Sequence, residues 1–475
     1  MRMALEEWIG KGSVGIIGIL LGAFLPIVWC FCMSRRIPKG VPPGSLGWPI
    51  LGETLDFLAC RRTGGVASFF QLRRKKHGEI FKTHIFFCPT IVIAGPEGQK
   101  MGLSDGYNSV EAGNFETLKD LFGRNSLFSV TSEQHKRMKR AILGSLQGKA
   151  LRDRVQRVEK LTLDALKNWE GKEVIVLKET SQLTHNVILN LLLSMEAGQE
   201  AAQLRERFLL YSLGGKSLPI KLPGAPFYKA LQARRELLKV VRGIIEQRKR
   251  SGKYYNDVLQ SMLQIQESSN GLSEDEIVEN IILLMFGGTD TTSTAITRII
   301  EFLAENPDEL TLLQEEHDRV GRNLQADQPL TWDVIKSMSY TYKVISEGLR
   351  LSRIADALPR TAVKDLHIQG YKIPKGWRIF VDKEATEFNP QIFDEPLRFK
   401  PSRFENPLPP LTFIPFGGGP RMCPGMELAT LQIAIFLHHF VRKYRWRVKE
   451  NLNELDFTRI VPQPKNGLPI FVELR

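Results

Sequence analysis

Cys423 stands in the run Phe416-Gly-Gly-Gly-Pro-Arg-Met-Cys-Pro-Gly425, directly ahead of an apolar segment with helical period. Glycines in such a loop take up positive φ angles and let the backbone approach a flat ligand closely. Backbone N–H groups at the start of a helix favour a thiolate, which is a soft ligand for a metal such as iron. Arg421, two residues earlier, adds a cation able to pair with a carboxylate on whatever the loop binds. A buried structural cysteine is the plain alternative, since free cysteines often serve as small hydrophobes.

A second constellation is Gly287-Gly-Thr-Asp-Thr-Thr292, in the middle of a long helical pattern. Two glycines inside a helix cost about 1 kcal/mol each relative to alanine. Threonine hydroxyls can capture carbonyls of the preceding turn and bend the helix. Asp290 follows the apolar stretch 281–286, and a carboxylate buried there needs a partner or a proton-handling purpose. A third is Glu347-Gly-Leu-Arg350, an acid and a base on one helix face, followed later by Pro401-Ser-Arg-Phe404. A surface pair of that kind is worth only about 0.2–0.5 kcal/mol.

Taken in order along the chain, these segments resemble the cytochrome P-450 family. The loop meets every fixed position of Phe-x-x-Gly-x-Arg-x-Cys-x-Gly through Phe416, Gly419, Arg421, Cys423 and Gly425. The resemblance implies a mainly α fold with a small β region and heme b held by the Cys423 thiolate. It implies that Asp290 feeds protons inward, that Thr291 serves the oxygen being activated, and that Gly287 and Gly288 let oxygen and substrate approach. It implies a buried network of Glu347, Arg350 and Arg403 that locks the cysteine loop. Two departures stand out. His135 and Lys139, with Arg140 beside them, occupy the positions where the family has a Trp and an Arg on the heme propionates. Glu387 stands where relatives often have a histidine.

These groups need a scaffold, and the 475 residues, 43% hydrophobic, are ample for one. Ser273 and Glu276 form a capping box that starts the long helix, and Asn306-Pro307 ends it. Mostly helical patterning covers residues 132–267, broken by the Pro-rich loop 214–224. Strands are expected over 81–95, 363–374 and 378–381, and a last helix over 426–444. Cys30, Cys32, Cys60, Cys88 and Cys423 show no CxxC or Cys/His grid, which argues against zinc and against a disulfide framework.

Residues 13–33 carry no charge and are long enough to span a bilayer. Arg35, Arg36 and Lys39 follow, which places the C-terminal side in the cytosol. A cleaved signal peptide fits less well, because the preceding flank is not basic and no Ala-x-Ala site follows. The organisation expected is an anchor over 1–34, a proline-rich hinge over 35–52 and a catalytic domain over 53–475, single-pass in the endoplasmic reticulum membrane.

The net charge of +13 does not point to nucleic acid, because no recognition motif with interleaved aromatics accompanies it. Basic clusters at 136–140 and 442–449 instead suit an acidic NADPH–cytochrome P-450 reductase.

The function expected is therefore a monooxygenase. It takes O2 and NADPH electrons through the reductase and hydroxylates a C–H bond of an apolar polycycle (steroid, triterpenoid or diterpenoid). The segment 222–235 is similar to that of brassinosteroid- and gibberellin-pathway oxidases in plants. Pocket-lining segments are expected at 118–128, 212–222, 283–287 and 355–358. The rivals are a reductase-independent heme-thiolate lyase or isomerase and a non-catalytic heme-binding sensor. Intact Asp290 and Thr291 argue against both.

Overall fold

The computed structural model describes residues 37–49, 51–104, 107–266, 271–325, 328–449 and 454–475, with isolated helical positions 22, 25, 28 and 29. The expected anchor therefore lies almost wholly outside the described residues. Among the described residues no helix is long and apolar enough to cross a membrane.

The helices that position the site are α1 (Thr54–His77), α2 (Ser132–Leu146), α3 (Val176–Leu193), α4 (Gln199–Ser212), α5 (Pro226–Ser251), α6 (Glu274–Glu305), α7 (Pro307–Asn323), α8 (Ser339–Leu351) and α9 (Met426–Lys443). Helix α6 runs for 32 residues through the centre. Its start is the expected capping box: Glu276 N–H donates to Ser273 Oγ at 3.2 Å, and Ser273 N–H donates to Glu276 Oε2 at 2.8 Å. Pro307 opens α7 at once, where its missing N–H costs nothing.

Helix α6 is buried on nearly all sides, and its buried residues include polar groups as well as apolar ones. Its most extensive packing is against α3, and that seam is polar. Thr184 Oγ1 donates to the Thr289 carbonyl at 3.1 Å and Thr180 Oγ1 to the Ser293 carbonyl at 3.3 Å. His185 Nδ1 lies 3.2 Å from Thr289 Oγ1. Close approach needs a small residue, and Gly288 provides it: a Cβ there would sit 2.7 Å from Ile188 Cδ1. Gly287 differs, since a Cβ there would meet nothing within 4 Å.

One five-stranded sheet flanks the helices: β1 (Ile80–Ile85), β2 (Cys88–Ala94), β3 (Val110–Ala112), β4 (Ala357–Ala362) and β5 (Arg378–Asp382), in the order β1-β2-β5-β4-β3. Strands β1 and β2 form the hairpin expected over 81–95, in register Phe81 to Val92. Its turn holds Phe86 and Phe87 at φ 49° and 61°, unusual for bulky residues. Phe86 is held there by edge contacts with Phe57 and Phe115, at 5.6 and 4.9 Å between ring centroids.

The strands expected over 363–374 are Leu366–Ile368 and Tyr371–Ile373, paired across the turn at Gln369 and Gly370, both at positive φ, while Ala357–Ala362, ahead of that range, joins the main sheet. The last helix ends at Lys443, because alternating Tyr444–Val448 pairs with Pro469–Leu474. Between those two strands lies a short hairpin, β6 (Leu455–Asp456) with β7 (Gln463–Pro464).

The two glycines of α6 should respond oppositely to added bulk. Gly288→Val is expected to lower stability by about 1–3 kcal/mol through overpacking against Ile188. Gly287→Ala is expected to change it by less, or to stabilise by up to about 1 kcal/mol from helix propensity. Denaturant midpoints of the two variants check this.

Candidate active site

The cysteine loop is shaped by its own backbone. Cys423 N–H donates to the Phe416 carbonyl at 2.9 Å, closing the loop on itself. Gly417 and Gly419 take φ of 70° and 63°. Gly419 also lies so near the Leu103 carbonyl that a Cβ would overlap it. Gly425 opens α9, and its N–H points at the Cys423 sulfur, 3.9 Å from where a Cβ on that glycine would stand. The thiol departs from expectation in one respect. Burial pushes its pKa up, and the Gly425 N–H and the Lys139 ammonium offset only part of that. A coordinated metal would favour the thiolate, because it deprotonates a bound thiol outright.

Beside the loop, cations gather. Arg421 is mostly buried. One Nη donates to the Val130 carbonyl at 2.6 Å, and its buried Nε has no hydrogen-bond partner among the described residues. Arg360, on β4, is buried and donates only to carbonyls, to Gly102 at 3.1 Å and Pro359 at 2.9 Å. Its pKa is lowered to about 10 by burial and by Arg421. His135 is buried against the Tyr107 hydroxyl. Its pKa falls to about 3, from burial first and then from Arg421, Lys139 and Arg360. Lys139 Nζ donates to the Pro420 carbonyl at 2.7 Å. Buried cations that repel one another call for an anion. The two propionates of a heme supply that charge, so the residues present fit the group. Arg140 does not join them. It is exposed and lines an outer groove with Lys136, Lys139 and Pro420. Arg360 was not found from the sequence. Its signal was a lone arginine in the apolar strand Ala357-Leu-Pro-Arg-Thr-Ala362.

On α6, Gly287 is exposed and Thr291 partly exposed, although the helix is otherwise buried. Thr291 Oγ1 donates to the Gly287 carbonyl at 2.5 Å. These two positions form the open side of the helix. Asp290 turns elsewhere: its Oδ2 accepts from Ser212 Oγ at 2.6 Å. Burial raises its pKa, against the Ser212 hydrogen bond and the charges of Arg459 and Arg205. Gly288 is not on the open side; it seats Ile188, so it serves packing and not ligand approach.

Glu347 is wholly buried and shared by two guanidiniums. Arg350 Nε and Nη2 each lie 2.8 Å from its carboxylate, and Arg403 Nε lies 3.1 Å away. The Lys400 N–H donates to it at 2.9 Å. Arg350 also donates to the Glu387 and Pro396 carbonyls, at 2.9 and 2.7 Å. Glu387 is buried, ion-paired to Lys383, and accepts from the Ile414 N–H at 3.4 Å, just before the cysteine loop.

The cytochrome P450 family model matches residues 42–471. The chain belongs to the cytochrome P450 family. It is 32% identical over 450 residues to abscisic acid 8'-hydroxylase 1 of Arabidopsis thaliana, covering 94% of this chain and 95% of that one. It is 33% identical over 463 residues to cytochrome P450 85A1 of Brachypodium distachyon, covering 96% and 98%. A solved structure, the retinoic acid-bound cyanobacterial CYP120A1, superposes with a TM-score of 0.84 at 29% identity, covering 92% of this chain and all of that one. The protein is a P450 monooxygenase. Its cofactor is heme b with a thiolate on the iron, and it uses O2 and electrons derived from NADPH. The fold is the mainly helical P450 fold with small sheets.

Breaking the brace is expected to release the site. Glu347→Gln leaves Arg350 and Arg403 without their carboxylate, at a cost of about 3–5 kcal/mol. The denaturation midpoint should fall and heme should be lost on gel filtration, whereas exposed Glu405→Gln should change neither.

Proposed function

We propose that this P450 hydroxylates a rigid, apolar, ring-bearing substrate of the steroid or terpenoid class, with Cys423 as the iron ligand. The observation that carries the substrate reading is an aromatic cluster beside Gly287. Phe122 lies 4.9 Å from Phe128 and 4.8 Å from Phe286, and Tyr211 lies 6.3 Å from Phe286, between ring centroids. These residues come from or adjoin three of the four expected lining segments, and apolar aromatic walls suit an apolar ring system. Two relatives bear on the substrate: one is named an abscisic acid 8'-hydroxylase, and a solved one is bound to retinoic acid.

When bound, the heme supplies the oxygen-activating chemistry. The protein orients it, excludes water and moves protons. Cys423 holds the iron, and Arg360, Arg421, His135 and Lys139 hold the propionate side. Thr291 presents a hydroxyl on the open side of α6, and Asp290 handles protons. Glu347, Arg350 and Arg403 keep the segment leading into the cysteine loop in place.

The reading places residues 1–34 as an anchor in the endoplasmic reticulum membrane, 35–52 as a hinge and 53–475 as a cytosolic catalytic domain. Exposed Leu209, Leu210, Leu213, Leu218, Ile220 and Leu222 support contact with lipid. Arg61 of α1, the first helix after the hinge, ties to that region through the Gly215 carbonyl at 3.4 Å.

The partner is an NADPH–cytochrome P450 reductase, docked at the groove of Lys136, Lys139 and Arg140 beside Pro420. The second basic cluster suits it less. Lys443 pairs with Glu170, Arg447 with Glu473 and Lys449 with Glu173.

Charge reversal at Lys136 and Arg140 to Glu is expected to slow NADPH-driven turnover about tenfold, since rim charges govern encounter. Turnover driven by peroxide should be unaffected; equal loss in both would remove the docking site. A heme spin-state screen over sterols, triterpenoids, diterpenoid acids and abscisic acid tests the substrate class. Shifts confined to small linear or highly polar ligands would overturn it.

A further inference from the structure

The proton-handling carboxyl of this P450 does not point toward Thr291. No hydrogen bond joins the two side chains among the described residues. Asp290 Oδ2 instead accepts from Ser212 Oγ at 2.6 Å. Ser212 is the last residue of α4, before the turn Leu213–Lys216 and the loop that leads to α5. The two side chains meet in a small cleft closed on the far side by Arg459, Ile460 and Gln463 from the β6–β7 hairpin. Its volume is about 10 Å³, close to the minimum that holds one water. Such a water would have Asp290, Ser212, Arg459 and Gln463 for partners, and buried waters take two to four.

The charged and titratable groups facing Asp290 are Arg205 and Tyr211 from α4 and Arg459 from the hairpin. Neither arginine makes a direct ion pair with it among the described residues. Arg205 donates to Ser181, and Arg459 lies 3.3 Å from Asp456, on the solvent side of the hairpin. Among the described residues, Ser212 is thus the one side chain hydrogen-bonded to the carboxyl. The cleft is pinned from outside as well. Arg61 donates to the carbonyls of Gly215, Thr458 and Arg459, bridging α1, the turn after α4 and the hairpin.

We propose that Ser212 is a positioning residue for proton delivery. Its hydroxyl holds the Asp290 carboxyl at the cleft between α4 and the β6–β7 hairpin, where the proton is taken up. Delivery toward Thr291 requires that bond to open, so it is tied to the placement of α4 and the turn that follows it. This rests on the reading of Asp290 as the proton-handling acid. The step moves one proton and no electrons: the carboxylate gains it at the cleft and gives it up on the Thr291 side.

The test is a difference-infrared titration of the holoenzyme, with the Asp290 carboxyl band identified by its loss in Asp290→Asn. Ser212 donates to the charged form, so its hydroxyl holds the midpoint down. Ser212→Ala should move the midpoint upward, and Ser212→Thr, which keeps a hydroxyl, should restore it. In the reductase-coupled holoenzyme, NADPH oxidation should show a larger solvent isotope effect in Asp290→Asn and Ser212→Ala. An unchanged infrared midpoint in Ser212→Ala overturns the proposal. If Ser212→Ala does not fold, a wild-type midpoint in Ser212→Thr alongside a raised one in Ser212→Cys supports it, and no rise in Ser212→Cys overturns it. An unchanged isotope effect in Asp290→Asn, with the midpoint shift intact, overturns the reading of Asp290 and leaves Ser212 as its hydrogen-bond partner.

Discussion

A single buried carboxylate, Glu347, organises the proximal half of this P450. It accepts from two guanidiniums and one backbone N–H with no exposure to water. A buried charge of this kind is tolerable only when every lone pair is met, and removing one partner costs far more than the pair contributes. Arg350 extends the network through the Glu387 and Pro396 carbonyls, and Glu387 reaches the Ile414 N–H. Ile414 stands two residues before Phe416, whose carbonyl closes the cysteine loop. These contacts run from α8 to the segment just ahead of the cysteine loop.

The heme side is built on the opposite electrostatic principle. Arg360 and Arg421 are brought together with no carboxylate hydrogen bond among the described residues, and burial lowers the pKa of both. The propionates of a heme would offset the repulsion between them. The thiol follows the same logic. Burial raises its pKa, against the Gly425 N–H and the Lys139 ammonium.

How much of this could be read from the sequence depended on distance along the chain. The cysteine loop, the capping box of α6 and the Glu347–Arg350 pair are local patterns, legible because their partners lie within a few residues. The joining of Arg403 to Glu347 came only through family resemblance. Arg360 was missed and Ser212 was expected only as part of the lining segment 212–222, because their significance is tertiary: one feels the charge of Arg421 and the other meets Asp290 from a different helix. Gly287 and Gly288 looked alike in the sequence, yet one faces open space and the other Ile188. The cluster at 442–449 looked like a free basic patch, but most of it is paired to carboxylates from distant segments.

The most direct test of the account is the carbon-monoxide difference spectrum of the reduced protein. The wild type should show the red-shifted band of a thiolate-ligated heme, and Cys423→Ala should lose it while Cys60→Ala and Cys88→Ala keep it. A Cys423→Ala protein that retains the thiolate band would contradict the assignment on which the rest stands.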